Sequence, residues 1–178
     1  MEKRKWLVLN YNLPTEPSKH RVAVWRGLKK LGAVNIQQSM WLMCYSAENY
    51  ASLQKISQDI EANHGTSLLM ESIFYDEQHE QKVIAHFNAL RDEEYREFIN
   101  ECEKYLKELE KEISNAKLTF AELEEEEEEL NKLLSWHSKI KARDLFLSPE
   151  GSAVRSTIEK IKSAFENYSD LVYESSAK

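Results

Sequence analysis

The chain has 178 residues, 42% hydrophobic and 31% charged, with a formal net charge of −7. That length can bury one large core or two small ones, and four Gly and three Pro are too few for a turn-rich all-β fold. No apolar run approaches the roughly 20 residues that span a bilayer, and Met1-Glu2-Lys3-Arg4-Lys5 lacks the pattern of a signal peptide; no membrane partner is expected, and the expected location is cytoplasmic.

The charge is segregated. From Met1 to Gly32 there are eight Lys and Arg against two Asp and Glu, a net of +6, and the remainder holds 16 against 29, a net of −13. Such asymmetry concerns partners rather than fold. Cys44 and Cys102 are too few and too isolated for a disulfide framework. One lies in an apolar strand-like run and the other at helical spacing from Ile99 and Leu106, so both read as buried thiols. A redox or oxyanion-sensing role is the alternative.

In chain order, Lys5 to Asn12 is rich in strand formers, and a Pro-broken loop follows at Leu13-Pro14 and Pro17. Ser18 is the expected N-cap of a basic helix in which Val22, Trp25, Leu28 and Leu31 form the inner stripe, stopped by Gly32. Ala33 to Gln38 alternates, and Met40 to Tyr45 is a continuous apolar strand. Ser46 caps a second helix with Tyr50, Leu53, Ile56 and Ile60 inward; Gly65 follows it, and Ser67 to Tyr75 is the last strand. This β-α-β-β-α-β order predicts a ferredoxin-like α+β domain over residues 1–76. Three of its strands are apolar at nearly every position, so the face away from the helices should be covered, by the C-terminal half or by another subunit.

Residues 77–178 carry no strand signal and read as a helical subdomain packed on the first. A long helix from Glu77 to about Asn115 carries Val83, Phe87, Leu90, Tyr95, Ile99, Cys102, Leu106, Leu109 and Ile113 at coiled-coil-like spacing. Thr119-Phe120-Ala121-Glu122 is a capping box that opens a second helix with Phe120, Leu123, Leu130, Leu133, Leu134 and Ile140, and so tight a connection predicts an antiparallel hairpin. Ser148-Pro149 opens the last helix, striped by Val154, Ile158, Ile161, Phe165, Tyr168 and Val172, with a frayed tail from Glu174 to Lys178.

The residues hold no Gly-rich phosphate loop, no Cys or His pair at metal spacing and no nucleophile elbow, so no catalytic residue, metal or cofactor is expected. The run Glu124 to Glu129 points all round a helix and cannot converge on one ion; it reads as a solvated face, partly neutralised by Lys104, Lys107 and Lys111 opposite. Two features remain. If Val22, Trp25 and Leu28 face the sheet, Lys19, Arg26 and Lys30 lie along an exposed edge, joined by Arg21 and Lys29. Such a cluster either neutralises phosphates of double-stranded DNA or docks on the chain's own acidic helices. Arg91-Asp92 and Arg143-Asp144, each beside apolar residues, form either a structural clamp between domains or a ligand site, which Arg21 would join.

Several of these segments resemble a known family. Trp6-Leu7-Val8-Leu9, Leu13-Pro14, Arg21 to Arg26, Leu28 to Val34 and Gln38 to Leu42 look like the N-terminal domain of the chromate-resistance regulator ChrB. The likeness continues through Phe87 to Tyr95, Phe120 to Leu123 and Ala142 to Phe146, nearly the whole chain, without the second, C-terminal domain of the family's larger members. It implies a regulator of chromate-efflux operons, and both Arg-Asp dipeptides fall within its motifs. The strand-loop-helix start is also similar to the CRISPR-associated adaptation endonucleases and to PaaX-type regulators, where an Asp commonly ends the first strand. Here Asn10-Tyr11-Asn12 stands instead. An amide lacks the anionic charge that draws in a hard divalent cation, so the expectation is a non-enzymatic DNA-binding module. The alternatives are a protein-interaction homodimer and, more remotely, a metal-dependent nuclease with Asn12 in place of the Asp.

Overall fold

A computed structural model of the chain describes residues 3–177. Met1 and Glu2 of the basic segment, and Lys178 of the tail, lie outside the described residues. The elements run β1 (Trp6–Asn12), α1 (Ser18–Leu31), β2 (Val34–Gln37), β3 (Met40–Cys44), α2 (Ala47–Ala62), β4 (Thr66–Ser72), α3 (Glu77–Ser114), α4 (Phe120–Arg143) and α5 (Pro149–Ser176). The chain divides into two compact units, Met1–Phe87 and Asn88–Lys178, so the boundary falls inside α3.

In the first unit the strands form one sheet of order β2-β3-β1-β4 with antiparallel pairs throughout, the ferredoxin-like arrangement expected from the element order. Alternation divides β1 between two faces. Leu7 and Leu9 join Val24 and Leu28 of α1 and Leu53 and Ile60 of α2 in one core cluster. Trp6 points to the other face, where its indole nitrogen donates to Glu80 Oε1 at 2.8 Å and its ring lies 5.5 Å from Phe74 and 5.8 Å from Phe87. The first turns of α3 therefore cover that side of the sheet. Along the β4 edge the same face stays open, and Leu68 and Met70 are exposed.

Local chemistry sets the ends of these elements. Gly32 takes a left-handed φ of 81°, and its N–H and that of Ala33 close on Lys29 O and Leu28 O. Ser46 Oγ accepts from Asn49 N at 3.0 Å, as its position predicted. At Gly65 a Cβ would stand 2.6 Å from Asn12 O and 2.7 Å from Ile60 Cγ2, so only glycine lets α2 return this close to β1. Asp76 accepts from His79 N and so caps α3.

Three expectations need correcting. Ser18 is the first residue of α1, not its cap; Pro17 holds the cap position and makes no side-chain hydrogen bond. The inner stripe of α1 is Val24 and Leu28, with Leu31 packed beside them, while Val22 and Trp25 are exposed. Apolar residues occur on all sides of this helix, so spacing alone leaves its rotation open by about one residue, or 100°. On α2, Tyr50 is likewise exposed.

The second unit is a bundle of three long helices. Ring contact between Phe98 and Trp136 at 5.6 Å, and a bond from Tyr105 Oη to Glu126 O at 3.1 Å, run α3 and α4 antiparallel, as the short connection predicted. Thr119 Oγ1 accepts from Glu122 N, one half of the expected capping box. α5 returns antiparallel to α4: Gly151 approaches Asp144 near the end of α4, and Tyr173 meets Phe120 at its start, 5.3 Å between rings. The stripe of α5 is buried at Val154, Ile161, Tyr168 and Val172. On α3 the buried line is Tyr95, Phe98, Cys102, Tyr105 and Leu109, so Phe98 and Tyr105 belong to the core beside the expected residues.

The glutamate run departs from a fully solvated face. Glu126 is buried, and Glu112 of α3 is too. Lys104 and Lys111 pair with Glu101 and Glu108 of their own helix, at 2.6 and 2.7 Å, instead of neutralising α4. An i,i+3 partner on the same helix is always within reach, whereas a partner across the hairpin has to be aligned.

Candidate nucleic-acid interface and the Arg-Asp cluster

The rotation of α1 decides what it presents. With Val24 and Leu28 inward, Lys19, Arg26 and Lys30 stand on the opposite side, and Lys29, Trp25 and Arg21 lead back round one flank, so the cations span an arc of about half the helix. Lys29 is half-buried and the other four cations are exposed. Among the described residues none of the five forms an ion pair within the first unit. The last turn also places Lys29 and Lys30 at the negative end of the helix dipole, a favourable position for cations. Such an arc can neutralise several phosphates spaced along a backbone. Trp25, half-exposed among the cations, adds a flat apolar surface for sugars and bases.

The two Arg-Asp dipeptides converge within the second unit, where α3, the end of α4 and the start of α5 meet. Glu94 Oε2 is shared by two cations, Arg143 Nη2 at 3.1 Å and Arg91 Nη1 at 3.4 Å. Arg91 is buried, and burial pushes its guanidinium below its ordinary range while Glu94 opposes the shift. Asp144 Oδ2 accepts from Tyr95 Oη at 3.1 Å, and its Oδ1 accepts from Ser148 N at 2.9 Å. Asp92 Oδ1 accepts from Glu150 N at 3.0 Å, so the two aspartates satisfy backbone donors at the start of α5. Burial, followed by the charge of Asp144, pushes the Tyr95 phenol up to about 12. Gly151 sits against this cluster: a Cβ there would meet Tyr95 Cε2 at 2.9 Å and Asp144 Oδ2 at 3.0 Å.

Sequence reasoning named four members of this cluster and missed Glu94, Tyr95 and Ser148. The spacing places Tyr95 in the core stripe, which is where its ring lies; only its hydroxyl reaches the charges. Glu94 is one of two adjacent glutamates, and no local pattern tells which of them turns inward. The two cysteines have thiols pushed up by burial, Cys102 to about 11, which leaves them poor nucleophiles. Asn12 ends β1 exposed. Among the described residues no three His, Cys, Asp or Glu side chains converge as a metal site, and no helix is long and apolar enough to cross a membrane.

The family described as "Protein ChrB, N-terminal" matches residues 21–178, which take in most of the basic arc and all of the Arg-Asp cluster. Protein ChrB of Cupriavidus metallidurans is 30% identical over 122 residues, covering 68% of this chain and 34% of that relative. The chain thus spans about a third of the length of the curated relative it matches. No solved structure matches it.

Proposed function

The chain belongs to the ChrB N-terminal family, and on that premise we propose that it is a non-enzymatic, cytoplasmic regulatory module of chromate resistance that binds double-stranded DNA through α1. The observation that carries this reading is the outward arc of Lys19, Arg21, Arg26, Lys29 and Lys30, cations without acidic partners among the described residues of their own unit. Contacts of this kind position a protein on the duplex by phosphate neutralisation, and each one displaces counterions. Trp25 packs against the sugar-phosphate edge between them. Arg91, Asp92, Arg143 and Asp144 serve this role indirectly, as a clamp that holds the helical unit together.

A gel-shift or anisotropy titration with duplex DNA over a salt series tests it. Three to five phosphate contacts give a slope of log K against log salt of about −2.7 to −4.5. Arg26→Ala reduces the slope by about one unit. Unchanged mobility at low salt, for the wild type and Arg26→Ala alike, overturns the reading.

A second reading, a homodimer, is supported by the β4 edge. Among the described residues β4 pairs only with β1, and Leu68 and Met70 remain exposed on its open face. An unprotected apolar edge strand is a ready template for pairing with another chain. Light scattering decides between a pair of chains and a single one.

A further inference from the structure

On the α3–α4 face, apart from both sites above, lies a cleft of about 460 Å³. Its lining comprises seven glutamates, Lys104, Lys117, Tyr105 and Leu133. The cations stand towards its two ends. Lys104 holds Glu101 at 2.6 Å, while Lys117 holds Glu112 at 3.0 Å and Glu122 at 3.7 Å. Between them sits Glu126, only 6% exposed, with no hydrogen bond or ion pair to its carboxylate among the described residues. Its backbone carbonyl, not its side chain, receives the Tyr105 hydroxyl.

A buried carboxylate facing other carboxylates is costly unless a cation joins it. Glu108 and Glu112 approach it from α3, and Glu122 and Glu125 from its own helix. Tyr105 of α3 and Tyr168 of α5 also feel its charge. Burial first, then these like charges, push Glu126 up to about 7.

The dispersion of the acids indicates which cation fits. A hard metal ion needs several oxygen ligands converging on one point, and no three carboxylates here do so. An ammonium group needs only one or two acceptors. The cleft follows α3 from Glu101 to Glu112, a rise of about 16 Å. Tyr105 and Leu133 supply apolar surface within it. We propose that this cleft binds a linear polyammonium molecule, with one ammonium against Glu126 and its methylene chain along Tyr105 and Leu133. Lys111 and Lys132 also hold Glu108 and Glu129 of the lining, at 2.7 and 2.6 Å, so the ligand completes the charge set at Glu125 and Glu126, the two lining glutamates without a lysine partner among the described residues. Its binding displaces the Glu126 proton, and it is independent of DNA binding by α1.

Isothermal titration of the full chain with spermidine, against magnesium chloride and against the variants Glu126→Gln and Glu127→Gln, tests this. Glu127 is exposed and outside the cleft, so its substitution removes the same charge without touching the site. Expected are a saturable spermidine site, a tenfold or greater loss in Glu126→Gln, wild-type affinity in Glu127→Gln, and no competition by equimolar magnesium. Affinity should rise about tenfold from pH 6 to pH 8 as Glu126 loses its proton. Equal affinity in the two variants, or magnesium binding as tightly as spermidine, overturns the proposal.

Discussion

The same residue types meet opposite circumstances in the two units. On α1, five cations stand on an outward arc with no acidic partner among the described residues of their unit. In the Arg-Asp cluster, Arg91 is buried and Arg143 half-buried, and the two share Glu94. A buried cation that loses its partner leaves an uncompensated charge, so its removal is read in stability. An exposed cation contributes little to the fold and is free to meet an external anion. The contrast separates residues that hold the molecule together from those available to a partner, without reference to how basic each segment is.

The largest expected effect tests the buried side. Replacing Glu94 by Ala strands two cations at once and should cost about 3–5 kcal/mol of stability in denaturant titration. A cost under 1 kcal/mol would mean that the cluster is not a clamp. Asp144→Asn comes next, weakening the bonds to Tyr95 and Ser148, for about 1–2 kcal/mol.

Glu126 is the exception among buried charges, and its substitution should act in the other direction. Its folded value near 7 lies above the unfolded value of 4.5, so the acid form is favoured in the fold. Below about pH 4.5 both states are protonated and there is no penalty. Between that pH and 7 the unfolded chain releases a proton that the folded chain retains, and stability falls. Glu126→Gln should therefore gain about 1–2 kcal/mol at pH 8, allowing for solvent screening at the cleft mouth, and nothing near pH 4. Thermal melts at the two pH values check this, and an equal gain at both would refute the buried-charge explanation.

The smallest expected effect concerns Trp25. Were it part of the inner stripe, Trp25→Ala would cost about 3–5 kcal/mol. Half-exposed on the outward arc, it should cost less than about 1 kcal/mol and lower DNA affinity instead. A large loss of stability would restore it to the core.

Much of the fold was legible because its signals are local. Gly32, Ser46 and Thr119 mark helix ends by chemistry that needs no tertiary context, and the alternation of strands and helices restricts the first unit to a split β-α-β arrangement. Rotations and partners were less legible. Val22, Val24, Trp25 and Leu28 allow more than one inner face, and only packing against Leu53 and Leu9 selects Val24. Six consecutive glutamates look identical in sequence, yet only Glu126 of these turns into the bundle. The Arg-Asp dipeptides stood out for their apolar neighbours. Their meeting at Glu94 depends on where α4 ends against α3, which no local pattern records.

The central claim is that the α1 arc binds duplex DNA, and its most direct test is affinity measured against salt for the wild type and Arg26→Ala. Binding at low salt, a slope of about −2.7 to −4.5, and a loss of about one unit of slope in the variant with unchanged thermal stability are the predicted results. No binding at low salt, or a slope identical in both proteins, would contradict it.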